Sequence, residues 1–244
     1  MATATFKIWR GEHNQGGYVD FTTEVDEGMV VLDVVHRIQA QQANDLAVRW
    51  NCKAGKCGSC SAEINGMPKL MCMTRLNQLD LSHPVTVEPM RSFPHVKDLV
   101  TDVSWNYRTK ARIPPFQLRP PDADGTWRAY QADVDRPQEF RKCIECFLCQ
   151  DVCHVLREHH MHEEFIGPRF LIHIAQMEMN PLDAGNRLEK LKDEFGVGYC
   201  NITKCCTKVC PEGIHITDNA IIPLKERVVD EFYDPLAKLF RIFK

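Results

Sequence analysis

Residues 52–60 read Cys52-Lys53-Ala54-Gly55-Lys56-Cys57-Gly58-Ser59-Cys60, and a further cysteine follows at position 72. A C-x4-C-x2-C run with a distant fourth cysteine is the spacing that holds a [2Fe–2S] cluster. Four thiolates must converge on two irons, so the chain wraps the cluster, and Gly55 and Gly58 let backbone N–H groups approach the sulfurs. Zinc is the alternative, but zinc favours paired C-x2-C turns. The predicted [2Fe–2S] ligands are Cys52, Cys57, Cys60 and Cys72.

The sequence around this loop predicts a β-rich domain over residues 1–105. Apolar residues first alternate with the strand period of two and then recur at helical spacing. The expected elements are strands over 6–10, 18–25 and 85–88, a helix over 31–38, and turns at Gly16-Gly17 and Asn65-Gly66. This order of strands, helix, cysteine-rich loop and further strands is that of a β-grasp ferredoxin. Asn-Gly is a strong hairpin signal.

The second half of the chain predicts an all-α domain over residues 106–244. Residues 106–137 contain Pro114-Pro115 and Pro120-Pro121, which cannot continue a helix or a central strand, so we expect a connecting stretch there. Helical periodicity follows over 165–179, 187–195 and 220–232. The predicted fold class is therefore α+β, with a ferredoxin-like domain followed by a helical, bacterial-ferredoxin-like domain.

Two more cysteine runs lie in this second half. Cys143-x2-Cys146-x2-Cys149-x3-Cys153 is the bacterial ferredoxin run, whose fourth cysteine binds the other cluster of a two-cluster protein. A partner run is therefore expected. It is found at Cys200, Cys206 and Cys210-Pro211, which occupy the first, third and fourth places of the same template. Thr203 stands in the second place.

Exchange of the fourth cysteines then assigns the ligands of two clusters. A [4Fe–4S] cluster would be bound by Cys143, Cys146, Cys149 and Cys210. The other site would have only three thiolates, from Cys153, Cys200 and Cys206. Because Thr203 cannot hold a fourth iron well, we expect a [3Fe–4S] cluster there. Cys205 is out of register, and we interpret it as an idle thiol rather than as a replacement ligand.

The composition excludes several classes of protein. A net charge of −3 gives no reason to expect a nucleic acid partner, and no apolar run reaches the roughly 18–20 residues of a membrane span. Residues 1–7 lack the apolar segment of a secretory signal, so we expect a reducing compartment that keeps the cysteines as thiols, not as a disulfide scaffold. No nucleophile–base pair, phosphate loop or dinucleotide fingerprint stands out. Three clusters without such groups indicate a carrier of single electrons.

Further motifs extend over nearly the whole chain. They are Glu63-Ile64-Asn65-Gly66, Leu70-Met71-Cys72, Pro94-His95-Val96-Lys97-Asp98-Leu99-Val100 with Asp102, Cys143-Ile144-Glu145-Cys146-Phe147-Leu148-Cys149, Gly167-Pro168 and Cys206-Thr207-Lys208-Val209-Cys210-Pro211. With these motifs in this order, the chain resembles the iron–sulfur subunit of succinate dehydrogenase and fumarate reductase.

The resemblance implies an enzyme complex in which succinate and fumarate interconvert, a step of the tricarboxylic acid cycle, on a flavoprotein partner with covalent FAD. It also implies a membrane anchor that carries quinone beside the [3Fe–4S] cluster. Electrons from succinate would pass through FAD, [2Fe–2S], [4Fe–4S] and [3Fe–4S] to quinone. The chain would then be peripheral, without a transmembrane helix of its own, on the cytoplasmic face of a bacterial plasma membrane.

The chain departs from the resembled family near the third site. His154 replaces the usual proline, Glu158 replaces the tryptophan of many ubiquinone-reducing members, and Asn201 replaces their histidine. We therefore expect a different quinone, such as menaquinone, or a different anchor. A histidine-rich segment, 154–162, is interpreted as a polar or anchor-facing helix, with a proton relay as the alternative.

Three interpretations of the whole chain stay open from sequence. The direction of the reaction is not determined, so a quinol:fumarate reductase subunit is a close alternative. A soluble multicluster ferredoxin is an alternative of another class.

The helical spacing of Leu236, Leu239, Phe240 and Phe243 suits a short helix on a membrane or an anchor subunit, or ordinary packing on its own domain.

Overall fold

A computed structural model describes residues 2–235. The chain divides into two compact units. The first comprises the chain up to Trp105 together with Ile144–Val152, and the second comprises Asn106–Cys143 and the chain from Cys153 onward. The first unit contains a β-sheet and the second is mainly helical. The C-terminal amphipathic pattern at Leu236–Phe243 lies outside the described residues.

The first unit begins with a long antiparallel hairpin of strands β1 (Ala2–Glu12) and β2 (Gln15–Val25). The prediction of a turn at Gly16-Gly17 was wrong. The turn is His13-Asn14, and both residues have the positive φ (48° and 64°) that a two-residue hairpin turn requires. Gly16 pairs instead with Gly11, where an added Cβ on Gly16 would lie 2.2 Å from the Arg10 carbonyl oxygen. The glycine serves close packing of the two strands.

The remaining elements of this unit include the predicted helix, the predicted hairpin and the strand predicted over 85–88, together with short elements near residues 76, 95 and 100 that were not predicted individually. They are helix α1 (Val31–Gln41) and strands β3 (Ser61–Ile64), β4 (Met67–Leu70), β5 (Val85–Glu88), β6 (His95–Lys97) and β7 (Val100–Thr101), with a short 3-10 turn at Leu76–Gln78. The Asn65-Gly66 turn between β3 and β4 is confirmed, with φ of 50° and 72°. Within residues 2–235 the strands form one sheet of order β4-β3-β5-β1-β6-β7, with β2 paired to β1.

The core of the first unit lies under the centre of this sheet. Phe6 on β1 stands beside Phe21 on β2 and Val85 on the parallel strand β5. Phe6, Ile8, Val85 and Val87 are completely buried, as are most apolar residues of α1. Alternate residues of a strand point to one face, so the two-residue period of β1 produces this buried row.

Asp98 links β1 to the segment that precedes the first cysteine loop. Its carboxylate is buried, and it accepts hydrogen bonds from the backbone N–H of Gly11 (3.0 Å), the backbone N–H of Ala47 (2.8 Å) and Nε of Arg10 (3.0 Å). A carboxylate that accepts several N–H donors forms strong, charge-assisted bonds. The 94–100 motif found in the sequence therefore fixes the chain shortly before Cys52.

The second unit contains short helices joined by irregular segments. The helices of the chain beyond β7 are α2 (Ser104–Arg112), α3 (Gln131–Gln138), α4 (Leu148–Asp151, in the first unit), α5 (His154–Arg157), α6 (Pro168–Glu178), α7 (Leu188–Asp193), α8 (Cys205–Val209) and α9 (Ile222–Phe232), with 3-10 turns at Glu139–Lys142 and Val197–Tyr199 and a π-helical turn at Ile216–Ile221. No helix within residues 2–235 is long and apolar enough to cross a membrane.

Three predictions for this half need correction. The stretch 106–137 is not wholly irregular, because α2 runs to Arg112 before the first proline pair, and α3 begins at Gln131. The helix predicted from residue 220 starts within the π-helical turn. The histidine-rich segment is helical only over 154–157, since His160 has a positive φ of 53° that interrupts the helix.

We predict that Asp98→Asn lowers the free energy of unfolding by about 1.5–3 kcal/mol, the range for hydrogen bonds to a charged group. The amide loses the charge and turns an N–H group toward one of the existing donors. Denaturant unfolding of the cluster-containing chain, followed by visible absorbance and circular dichroism, would measure this. Asp45→Asn is the control, because Asp45 binds the same Arg10 from the exposed side and should change stability far less. Equal effects of the two substitutions would contradict the role of Asp98.

Candidate iron–sulfur cluster sites

The first cysteine loop turns its backbone N–H groups toward its own sulfurs. The N–H of Lys56 and of Ala54 lie 3.3 and 3.4 Å from Sγ of Cys52, and the N–H of Cys52 lies 3.4 Å from Sγ of Cys57. The loop achieves this with left-handed residues, Lys53 (φ 56°) and Gly55 (φ 66°) among them. Such N–H donors stabilise thiolates and tune the potential of a bound cluster.

The four predicted [2Fe–2S] ligands converge. Burial raises the pKa of Cys60 to about 12, and the nearby Cys72 and Cys57 contribute to this. Burial acts in the same direction on Cys57, but hydrogen bonds from Ser59 and from the backbone of Cys52 outweigh it and lower the pKa of Cys57 to about 6. The loop therefore favours the thiolate form of the partly exposed Cys57, and the thiolate is the form that binds iron. These residues fit a [2Fe–2S] cluster.

The loop of the first site directly contacts a residue of the second cysteine run. Gly58 has a φ of 67°, and an added Cβ there would lie 2.6 Å from Cα of Cys146. The hydroxyl of the buried Ser61 lies 2.9 Å from the carbonyl oxygen of Gly58 and 2.8 Å from that of Cys146. It can therefore donate to either carbonyl. The first unit thus brings ligands from two predicted clusters to adjacent positions.

The segment 144–152 is anchored in the first unit at a second place. The backbone N–H of Ser92 donates to Oδ1 of the buried Asp151 (3.0 Å), and the Ser92 hydroxyl donates to the Asp151 carbonyl (2.9 Å). The rings of Phe93 and Phe147 pack edge to face, with centroids 6.4 Å apart. Sequence reasoning missed this anchor, since neither Ser92 nor Asp151 belongs to a recognisable motif.

In the second unit, Cys143 and Cys210 lie close together. Burial raises the pKa of Cys210, and the neighbouring Cys143 acts in the same direction. Backbone N–H groups of Ile214 and Glu212 point at the Cys210 sulfur and oppose this shift. Cys146 and Cys149, the other two predicted ligands of the [4Fe–4S] cluster, are buried in the first unit.

The three cysteines predicted for the third site line one pocket of the second unit. Cys153, Cys200 and Cys206 are joined there by Thr203 and by Cys205. Burial raises the pKa of Cys153 to about 12 and that of Cys206 to about 11. Buried thiols of this kind are neutral without a cluster, and binding of iron must release their protons.

Thr217 is a neighbour of this pocket that sequence reasoning missed. Its hydroxyl lies 3.5 Å from Sγ of Cys206 and 3.1 Å from Oγ1 of Thr207, which in turn accepts the backbone N–H of Thr217 (3.0 Å). Thr217 lies in the π-helical turn, a feature that is frequent at functional sites. The hydroxyl pair orients the Cys206 sulfur.

The residues that depart from the resembled family lie around the same pocket or near it. His154 and Asn201 line the pocket itself. Glu158 is mostly exposed and forms an ion pair with Arg157 (3.4 Å). Replacement of the usual side chains therefore changes the wall of the third site directly.

The cysteines carry no disulfide in the structure, where all twelve are free thiols. Among residues 2–235, no three His, Cys, Asp or Glu side chains lie close enough together to hold a single metal ion.

Comparison with known proteins finds two cluster-binding domain families in the chain. The 2Fe-2S iron-sulfur cluster binding domain family matches residues 5–107, and the 4Fe-4S dicluster domain family matches residues 139–214. The fumarate reductase iron-sulfur subunit of Mycobacterium tuberculosis is 35% identical over 189 residues, covering 75% of each chain. The succinate dehydrogenase iron-sulfur subunit of Paracoccus denitrificans is 28% identical over 232 residues, covering 92% of this chain and 88% of that one.

A solved structure is also similar. A chain of the Mycobacterium smegmatis Sdh1 complex in the apo form is 59% identical, with a TM-score of 0.91, and the match covers 96% of this chain and 98% of that chain. The resemblance found in the sequence motifs is thereby confirmed. The chain belongs to the family of iron–sulfur electron-transfer subunits of succinate dehydrogenase and fumarate reductase.

Proposed function

We propose that this chain relays single electrons within a membrane-bound succinate dehydrogenase. When bound, the clusters would carry electrons from flavin through [2Fe–2S], [4Fe–4S] and [3Fe–4S] to quinone. The observation that carries the proposal is the contact between Gly58, in the first cysteine loop, and Cys146, in the second run. A relay needs its redox centres close together, and this contact leaves no room for a side chain between the two ligand loops.

The ligand assignment is part of this proposal. The [2Fe–2S] cluster would be held by Cys52, Cys57, Cys60 and Cys72, the [4Fe–4S] cluster by Cys143, Cys146, Cys149 and Cys210, and the [3Fe–4S] cluster by Cys153, Cys200 and Cys206. Thr203 supports the last assignment, because it lines the pocket of the third site and its hydroxyl is a poor iron ligand beside thiolates.

The surrounding residues would set the properties of each site. Backbone N–H groups that point at the Cys52 sulfur would stabilise the negative charge of a cluster at the first site. Burial of Cys60 would exclude water from that part of the cluster. Thr217 would hold the Cys206 sulfur in place at the third site. Ser61 would fix the distance between the first two ligand loops.

The partners and location belong to the same proposal. The chain would bind a flavoprotein subunit with FAD and a membrane anchor with quinone, peripherally, on the cytoplasmic face of a bacterial plasma membrane. The sheet of the first unit would be a β-grasp ferredoxin domain over residues 1–105, followed by a helical two-cluster domain over 106–244. One observation favours the reverse reaction as a second candidate, since the 35% identical relative is a fumarate reductase subunit.

Electron paramagnetic resonance of the purified complex tests the cluster assignment. We expect a [3Fe–4S] signal in the oxidised protein and a [2Fe–2S] signal after reduction. Thr203→Cys should convert the third site to [4Fe–4S] and remove the oxidised signal, because it completes a set of four thiolates. Thr203→Ser is the control and should keep the signal. The assignment would be refuted if iron-replete wild-type protein gave no signal in the oxidised state. This holds provided that the third site does not contain a [4Fe–4S] cluster, which is itself silent when oxidised.

The contact at Gly58 generates a second prediction. Gly58→Ala should slow electron transfer between the first two clusters and weaken their magnetic interaction, because the new methyl group must displace the Cys146 backbone. Gly66→Ala is the matched control. Gly66 has a similar φ of 72° but open space around the added Cβ, so both variants share a backbone cost of about 1–2 kcal/mol while only Gly58→Ala moves Cys146. Freeze-quench magnetic resonance would separate them, and equal rates would refute the proposal.

The altered pocket wall predicts the quinone. We propose that the complex reacts with a quinone other than ubiquinone, such as menaquinone, or has a different anchor, because Glu158 and Asn201 stand where many ubiquinone-reducing relatives have a tryptophan and a histidine. Steady-state assays of the purified complex with menaquinone and ubiquinone analogues would measure the preference. A higher kcat/KM with the ubiquinone analogue would contradict this prediction.

A further inference from the structure

Cys205 lies in the pocket of the third site, although its place in the sequence is out of register with the ligand template. It lines the same pocket as Cys153, Cys200 and Cys206. Its Sγ is 3.3 Å from Oγ1 of Thr203, which occupies the second place of the template, where a fourth cysteine ligand is missing. The Cys205 thiol therefore contacts Thr203, the only position of the ligand template that is not a cysteine.

The backbone explains how two residues so close in sequence share one pocket. Lys204, between them, is in the left-handed conformation with a φ of 62°, and Ile202 before them has a φ of 63°. Left-handed conformation is costly for a β-branched residue such as isoleucine, so the surrounding structure must hold this turn in place. One contact that holds the turn is the ion pair between Lys204 Nζ and Asp218 Oδ1, which are 2.7 Å apart. The turn keeps the Thr203 hydroxyl and the Cys205 thiol in contact.

We propose that Cys205 is a reserve ligand that allows the third site to bind a fourth iron when ferrous iron and a reductant are present. The inference rests on the proposed assignment of Cys153, Cys200 and Cys206 to a [3Fe–4S] cluster. It gives a function to the thiol that the sequence alone marks as idle. The site would then exist in two forms that differ by one iron.

The exchange between the two forms conserves atoms and charge. The oxidised [3Fe–4S]⁺ core takes up one electron and one Fe²⁺ to become a [4Fe–4S]²⁺ core. The added iron would be bound by three sulfides of the core and by the Cys205 sulfur, and the thiol releases its proton to water. In the reverse step the core loses one electron to an oxidant and releases Fe²⁺, and Cys205 takes up a proton. In the test below dithionite supplies the electron.

The purified complex tests the inference in wild-type and Cys205→Ser forms. Each sample is incubated anaerobically with dithionite and increasing ferrous iron, freed of excess iron, and reoxidised with a quinone analogue. We expect the wild type to lose its oxidised [3Fe–4S] signal and gain one iron per chain. Cys205→Ser should require at least about tenfold more ferrous iron, since even an outer ligand partner contributes 10–100-fold to metal affinity. Lys208→Ser, an exposed change on the same helix, is the control and should behave as wild type.

The outcomes separate this inference from the proposed function. Equal conversion of the wild type and Cys205→Ser, or conversion of neither, would overturn the role of Cys205 while leaving the three-thiolate site intact. Absence of any iron at the third site in both proteins would instead refute the proposed ligand assignment. An oxidised signal that appears only after Cys205→Ser would support Cys205 as a ligand and would show that the fourth iron is already bound in the wild type.

Discussion

The close approach of Gly58 to Cys146 is the constraint on which the first unit depends. A Cβ on Gly58 would lie 2.6 Å from the Cys146 Cα, and the hydroxyl of Ser61 lies within hydrogen-bond distance of the carbonyl oxygens of both residues. The first cysteine loop and the segment 144–152, which would bind different clusters, therefore pack directly against each other. The buried carboxylate of Asp98 fixes the chain before the first cysteine loop at Ala47, and the hydrogen bonds between Ser92 and Asp151 hold the second segment in position.

Burial of the cysteines has a chemical cost that only bound iron removes. Thiols such as Cys60, Cys153 and Cys206 have raised pKa values because a thiolate is poorly solvated where they lie. The positive charge of iron favours the thiolate form, so cluster binding and folding of these loops stabilise each other. The exposed side of the first loop differs, since hydrogen bonds lower the pKa of Cys57 and favour its thiolate before iron arrives.

Local patterns predicted those parts of the fold that local forces control. The Asn65-Gly66 hairpin and α1 were found because turn chemistry and helical periodicity are properties of neighbouring residues. The Gly16-Gly17 turn was misplaced because glycine has two uses, positive φ and close packing, and the second depends on the opposite strand. Helix α2 was missed because a proline pair stops a helix at about the residue before it but leaves the chain further upstream free to be helical, and α2 ends at Arg112.

By itself the sequence predicted the three ligand sets, since cluster chemistry requires cysteines at fixed spacings and those spacings are readable along one chain. Only the tertiary structure decided what surrounds them. Ser61 and Cys146 are 85 residues apart, and no periodicity connects them. Thr217 is equally invisible as a neighbour of the third site, and Cys205 is out of register in the sequence, because a π-helical turn and a left-handed residue bring their side chains to one pocket. Spacing is local information, whereas contact depends on how the whole unit packs.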